Sequence, residues 1–179
     1  MKSRILIAAA LAVLVVPAAS FAGPPNGQDR ANGARACRAL RASMTPEIFR
    51  MTYGTVQSNR QNAFGRCVSM WARSEHQARI SARSACNTER SDANFAASHD
   101  GKTFAEFYGT GPQHRNAFGR CVSSKAKAAS EEAQQNTVNA AKACKAERSL
   151  GVAEFRAKYG GNRNAFGKCV SQHAKDPTP

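Results

Sequence analysis

No glycine and no proline occurs between Gly65 and Gly101, and none between Gly119 and Gly151. With both chain breakers missing, and Ala, Arg, Lys, Glu and Gln abundant, these stretches are read as long helices rather than loops. The chain has no Cys-x-x-Cys pair and no His beside a Cys, which argues against a zinc or haem site. Nothing in it resembles a nucleophile elbow, a phosphate-binding glycine loop or a metal motif, so no catalytic residue, metal or cofactor is expected. Lys is missing from residues 23–83, where all ten cations are Arg. Between Lys125 and Lys142 the one large apolar residue is Val138, so this stretch reads as a solvated strut.

The two ends of the chain bear on compartment. Residues 1–22 read as a secretory signal: Lys2 and Arg4, then the apolar run ILIAAALAVLVV, then the small-residue site Ser20-Phe21-Ala22. That run is too short to span a bilayer. No Cys follows the cut, so no lipid anchor is expected, and the terminal KDPTP is no membrane tail. Losing Lys2 and Arg4 takes the net charge from +14 to +12. A surplus of this size favours association with polyanions and acidic surfaces, whatever the fold. Six Cys in an exported chain suggest three disulfides.

One phrase is spelled three times: QNAFGRCVS at 61–69, RNAFGRCVS at 115–123 and RNAFGKCVS at 163–171. Each copy is preceded by Ala-Cys-x-x-x-Arg, at 36–41, 85–90 and 143–148, and by Phe-x-x-x-Tyr-Gly starting at Phe49, Phe104 and Phe155. Shared order at a period of roughly 50 residues marks an internal repeat. The expected organisation is a flexible linker at 23–35, unit one at 36–71, a connecting helix at 72–84 and unit two at 85–125. A second connecting helix at 126–142, unit three at 143–174 and a tail at 175–179 complete it.

The fold class expected is all-α: three disulfide-stapled helical units joined by long helices at about 66–98 and 120–149. Within each unit a short helix ends at Tyr-Gly, with Phe and Tyr on one face. In unit one it opens with Thr45 as cap and Pro46 in the first turn. Asn62, Asn116 and Asn164 sit where an N-cap belongs. Trp71 and Ile80 give the first long helix an apolar side that can meet a neighbour. If Cys67 and Cys86 share one helix they stand ~28 Å apart, and Cys121 and Cys144 ~34 Å, far beyond the reach of a disulfide. The bridges are therefore expected inside units, as Cys37–Cys67, Cys86–Cys121 and Cys144–Cys169. Each closes 25 to 35 residues and contributes roughly 3 to 4 kcal/mol in the chain-entropy account. Phe64, Phe118 and Phe166 share a stripe with the second Cys and the following Val, expected to pack on the short helix. Gly65, Gly119 and Gly167 are expected to permit a close approach by a neighbouring backbone or ring.

The sharpest chemical feature is a recurring pair of cations. Arg41, Arg90 and Arg148 follow the first Cys by one turn, and Arg66, Arg120 and Lys168 precede the second. A cation at a helix start opposes the dipole, so one reading is an anion seat, with two cations and backbone N–H groups around a phosphate, sulfate or carboxylate. The other is that these are solvated charges whose stems pack on Tyr53, Tyr108 and Tyr159, with cation–π contact. His76, His99, His114 and His173 are read as ordinary surface His at unmatched unit positions. Adjacent Glu131 and Glu132 point in different directions on a helix and make a poor catalytic pair.

The unit, with RNAFGKCVS at 163–171 and ACKAERS at 143–149, resembles repeats in small exported bacterial proteins of unknown function, over most of the chain from about residue 36. The resemblance implies a bacterial exported helical repeat protein and carries over no functional residue. Saposin-like proteins also combine helices with six Cys, but this chain lacks their paired Cys near the start. Two functions follow as expectations. The first is a non-enzymatic binding module for an anionic envelope or extracellular partner, with multivalency from the repeats. The alternative is a structural spacer of the envelope.

Overall fold

Caps and alanines explain most of the helices. The computed structural model describes residues 23–161 and 164–176, in which seven α-helices and no strand form. They are α1 (Gly27–Ser43), α2 (Pro46–Tyr53), α3 (Ala63–Ser91), α4 (Phe104–Tyr108), α5 (Ala117–Leu150), α6 (Val152–Lys158) and α7 (Ala165–Lys175). The expected signal segment at 1–22 lies outside the described residues. No helix among those described is long and apolar enough to cross a membrane.

The first helix corrects the expectation of a flexible linker at 23–35. Asn26 caps α1 by accepting from the Asp29 N–H, while the Asp29 carboxylate accepts from the Asn26 N–H, so the pair forms a capping box. Asp29 is 1% exposed and also accepts from Arg79 on α3, at 3.2 Å from Nε and 2.9 Å from Nη2. Gly33 lets the two helices touch: a Cβ there would fall 2.7 Å from the Ala72 nitrogen.

Thr45 caps α2 as expected, accepting from the Ile48 N–H with Pro46 in the first turn. Gly54 closes this helix, but with φ −80° it is not in the left-handed region. Crowding explains it instead, since a Cβ would lie 2.6 Å from the Arg60 Cβ. The long helices α3 and α5 begin three residues earlier than expected, inside the repeated phrase. Helix α3 stops at Ser91, short of residue 98, because the Asp92 side chain accepts from the Asn94 N–H and turns the chain into a short 3-10 segment, Phe95–Ser98.

The three bridges join the expected pairs: Cys37–Cys67, Cys86–Cys121 and Cys144–Cys169, with Cα separations of 5.9, 6.0 and 6.0 Å. Disulfides of this kind fit an oxidising compartment. Helix α3 leads from unit one to unit two, and α5 returns along it, so unit three comes to rest on unit one. The return corrects the solvated strut expected at 126–142. Ala140 and Ala141 are buried, Ala133 and Val138 are half-buried, and Ser130 donates to Glu75 across the helix pair. Ala133, Thr137, Ala140, Ala141 and Cys144 recur at helical spacing, and Ala72 and Ala82 are buried on α3. Small side chains let two helix backbones approach, so burial here needs few large residues.

Two cores result. The larger unites units one and three, with Leu40, Phe49, Tyr53 and Trp71 in the same cluster as Phe155, Tyr159, Phe166 and Val170. The smaller belongs to unit two and consists of Cys86, Phe95, Phe104, Ala117 and Cys121. Phe166 is buried as the stripe requires, while Phe64 and Phe118 are half-buried. The glycines of the phrase meet the expected close approach in one unit of the three. A Cβ at Gly65 or Gly119 would meet nothing within 4 Å, whereas at Gly167 it would lie 2.6 Å from the Thr52 carbonyl oxygen of the other unit.

Candidate functional site

The second cation of each pair lies at the end of a short helix. Arg66 Nε donates to the Tyr53 carbonyl at 3.1 Å and Arg120 Nε to the Tyr108 carbonyl at 3.0 Å, the last residues of α2 and α4. A Cβ at Gly160, just past α6, would lie 2.6 Å from Lys168 Nζ, which puts that ammonium at the matching place. Helix C-termini attract cations, so the conflict with the dipole at the start of the outgoing helix is relieved by the end of the preceding one. Arg41, Arg90 and Arg148 occupy the last turns of α1, α3 and α5, where cations are likewise favoured. Arg90 lies over the Phe118 ring at 4.8 Å, and the tyrosine that carries a cation is Tyr159, under Lys158 at 5.1 Å.

Asn62 and Asn116 stand at the N-cap positions of α3 and α5, yet neither side chain caps its helix. Each instead holds the preceding loop. Asn62 accepts from the Thr55 N–H and donates to its hydroxyl, and Asn116 does the same with Thr110. Unit three has Gly161 in place of this threonine, and Asn164 adopts a left-handed backbone with φ 57°.

Each tyrosine hydroxyl has a partner: a tryptophan in unit one and a glutamate in units two and three. Trp71 Nε1 donates to the Tyr53 hydroxyl at 3.2 Å. Tyr108 donates to Glu89 at 2.8 Å, and Glu89 is ion-paired with Lys125 at 2.7 Å. Tyr159 donates to Glu147 at 2.8 Å, with Lys158 on the same carboxylate and His173 Nε2 at 3.2 Å from the hydroxyl. These side chains come from two equivalent places: Glu89 and Glu147 stand three residues after the first Cys, where unit one has Leu40, and Trp71, Lys125 and His173 stand four after the second. As expected, His does not recur between units: the place of His173 holds Trp71 in unit one and Lys125 in unit two. Burial pushes the Tyr53 phenol up to about 12. Burial works to raise the Glu89 carboxyl, but bonds from Lys125 and Tyr108 hold it below its ordinary value, and Lys158 lowers Glu147. The sulfurs of Cys144 and Cys169 lie near His173, but both are in the disulfide, which leaves no thiolate to hold a metal.

Two concavities lie between the long helices and bear on ligand binding. One, about 680 Å³, runs between α1 and α5 above α3. Its charges are of both signs and are engaged locally: Asp29 with Arg79 and His76, Lys127 with Glu131, Glu75 with the Ser130 hydroxyl and Arg35 with the Asn32 side chain. Burial would raise the Asp29 carboxyl, but Arg79, the Asn26 N–H and His76 bring it below its ordinary value. This cluster escaped the sequence reading because its members lie 47 to 50 residues apart, one of them inside the supposed linker.

The other concavity, about 460 Å³, is bounded by α2, α3, α5 and α7, where units one and three meet. Trp71, Val170, Ala133, Ala174 and Met70 line it, and Arg66, Lys168 and Lys175 stand among its polar residues, with no Asp or Glu among the described lining residues. None of these three cations is ion-paired among the described residues. Two of the six cations singled out from the sequence thus converge on one cleft, and they come from different units. Arg41, Arg90, Arg120 and Arg148 do not line it. The chain matches no protein-family model, no curated protein and no solved structure.

Proposed function

We propose that this protein is an exported, non-enzymatic binding module for an anionic partner of the bacterial envelope or the extracellular medium. The observation that carries the reading is the cleft between units one and three, where Arg66, Lys168 and Lys175 gather without a carboxylate among the described lining residues. Three unneutralised cations around one concavity focus a positive potential there. The wider charge pattern supports it: Asp29, Glu89 and Glu147 are spent on internal pairs, while most Arg side chains remain available. The resemblance to exported bacterial repeats supplies the setting, periplasm or exterior. A structural spacer is less well supported, because α5 folds back along α3 and the two long helices add reach only once.

The test is a titration of the oxidised protein against DNA and a sulfated polysaccharide over a range of salt. Wild type is compared with an Arg66→Gln/Lys168→Gln variant and with an Arg38→Gln/Arg156→Gln control, whose exposed side chains lie outside the cleft. The cleft variant is expected to lose more affinity than the control at physiological salt. Equal losses in both, with a steep salt dependence, would reduce the binding to generic charge and overturn the reading.

A further inference from the structure

We infer that the cleft between units one and three takes an amphipathic anion: a single acyl chain carrying a carboxylate or phosphate head. The inference rests on the anion-binding reading of this cleft and narrows it to a ligand class. Its volume of about 460 Å³ falls in the ~300 to 1,000 Å³ range of small-molecule sites. The walls divide the ligand into two parts. Trp71 and Val170 are 5% and 3% exposed and form an apolar floor, flanked by Ala133 and Ala174, whose small side chains leave the space open, with the hydroxyls of Thr52, Ser74, Thr137 and Ser171 around it. Met70, 48% exposed, stands at the margin with a flexible thioether that adapts to an apolar guest. A hydrated polyanion would leave this floor unmatched, and a base has no free ring to stack on, because Trp71 is buried with its N–H bonded to Tyr53.

The head group is fixed by the cations. Arg66 is held in place by its Nε bond to the Tyr53 carbonyl, so a guanidinium is positioned in advance, at reduced entropic cost. Lys168 and Lys175, both exposed, complete a charged margin on the α7 side. Carboxylate and phosphate heads satisfy this margin alike, and a quaternary ammonium does not.

Trp71 is the one tryptophan of the chain, so its emission reports on the cleft directly. Acetate, hexanoate, decanoate, decyl phosphate and decyltrimethylammonium are titrated into the oxidised protein below their micelle thresholds. Decanoate and decyl phosphate are expected to shift Trp71 emission saturably, with affinity rising up to about fourfold per methylene until the cleft is filled. The ratio between the two distinguishes a carboxylate from a phosphate source. Lys168→Glu and Lys175→Glu, on exposed side chains that leave the core intact, are each expected to weaken decanoate at least tenfold. Affinity independent of chain length, or equal for decyltrimethylammonium, would overturn the inference. If decanoate fails while the Arg66→Gln/Lys168→Gln variant still loses polymer affinity, the acyl ligand is refuted and the anion-binding reading stands; if neither responds, both fall.

Discussion

The glycine of the repeated phrase offers three equivalent sequence positions with two opposite expected outcomes on substitution by alanine. In a helix interior Ala is favoured over Gly by roughly 0.8 to 1.0 kcal/mol. At Gly65 and Gly119 nothing lies within 4 Å of the new Cβ, so that preference acts alone, reduced somewhat by nearness to the helix start. At Gly167 the same Cβ would stand 2.6 Å from the Thr52 carbonyl oxygen and 2.7 Å from both polar side-chain atoms of Asn164. Overpacking of this kind costs about 1 to 3 kcal/mol, and a backbone oxygen at a helix end yields less readily than a side chain. The net expectation is a loss of roughly 1 to 2 kcal/mol for Gly167→Ala and a gain of up to about 1 kcal/mol for Gly65→Ala and Gly119→Ala. Thermal unfolding with disulfides intact reads these as a fall of about 2 to 8 °C against a rise of about 1 to 4 °C. If Gly167→Ala matched the other two, the seating of α7 on the end of α2 would be refuted, and with it the cleft.

Two further outcomes follow from the division into two cores and from Asp29. Replacing Cys86 and Cys121 by Ser removes about 4 kcal/mol of chain-entropy stabilisation from the smaller core, so hydrogen exchange should accelerate in α4 while α1 and α7 stay protected; uniform acceleration would refute two separable cores. The Asp29 carboxyl is held below its ordinary 3.8, so its contribution is fully present above about pH 4 and is lost as pH falls through the folded value. Asp29→Asn should therefore cost roughly 1 to 3 kcal/mol at neutral pH, with the gap to wild type in thermal midpoint closing below pH 4; a gap that stayed constant would exclude the Arg79 pairing as its cause.

What could be read from the sequence was what depends on distances along one helix. The rise per residue ruled out Cys67–Cys86 and Cys121–Cys144, and the pairings within units that the repeat suggested in their place are those that form. Thr45-Pro46 marked a helix start for the same local reason. Helix α1 was hidden by Pro24, Pro25, Gly27 and Gly33, although Asn26 and Asp29 already stood at cap and third position. The return of α5 was hidden because its contact face is made of alanine, which a search for large apolar residues passes over. The tyrosine partners were within reach of an alignment by unit. They escaped because Trp71 in unit one and Glu89 and Glu147 in the others come from two different places and share no chemistry until the tyrosine hydroxyl connects them.

Those two positions also explain why three copies of one unit yield a single cleft. In unit one the place beside the tyrosine holds Trp71, an apolar ring with one N–H, and Leu40 stands where units two and three have Glu. Unit one can therefore bury that region under unit three and present an apolar wall. In unit two the same places hold Lys125 and Glu89, an ion pair left at the edge of a small core, suited to a unit with no neighbour. Three units on a chain that folds back once leave one at the far end of the helix pair, so Arg120 does not join Arg66 and Lys168. On the proposed binding reading, one composite cleft lined by units one and three takes the place of the multivalency expected from three repeats. Calorimetric titration with decanoate should accordingly give one site per chain. Three sites would return the binding to the separate units, with Arg41/Arg66, Arg90/Arg120 and Arg148/Lys168 each acting alone, and would displace the cleft as its seat.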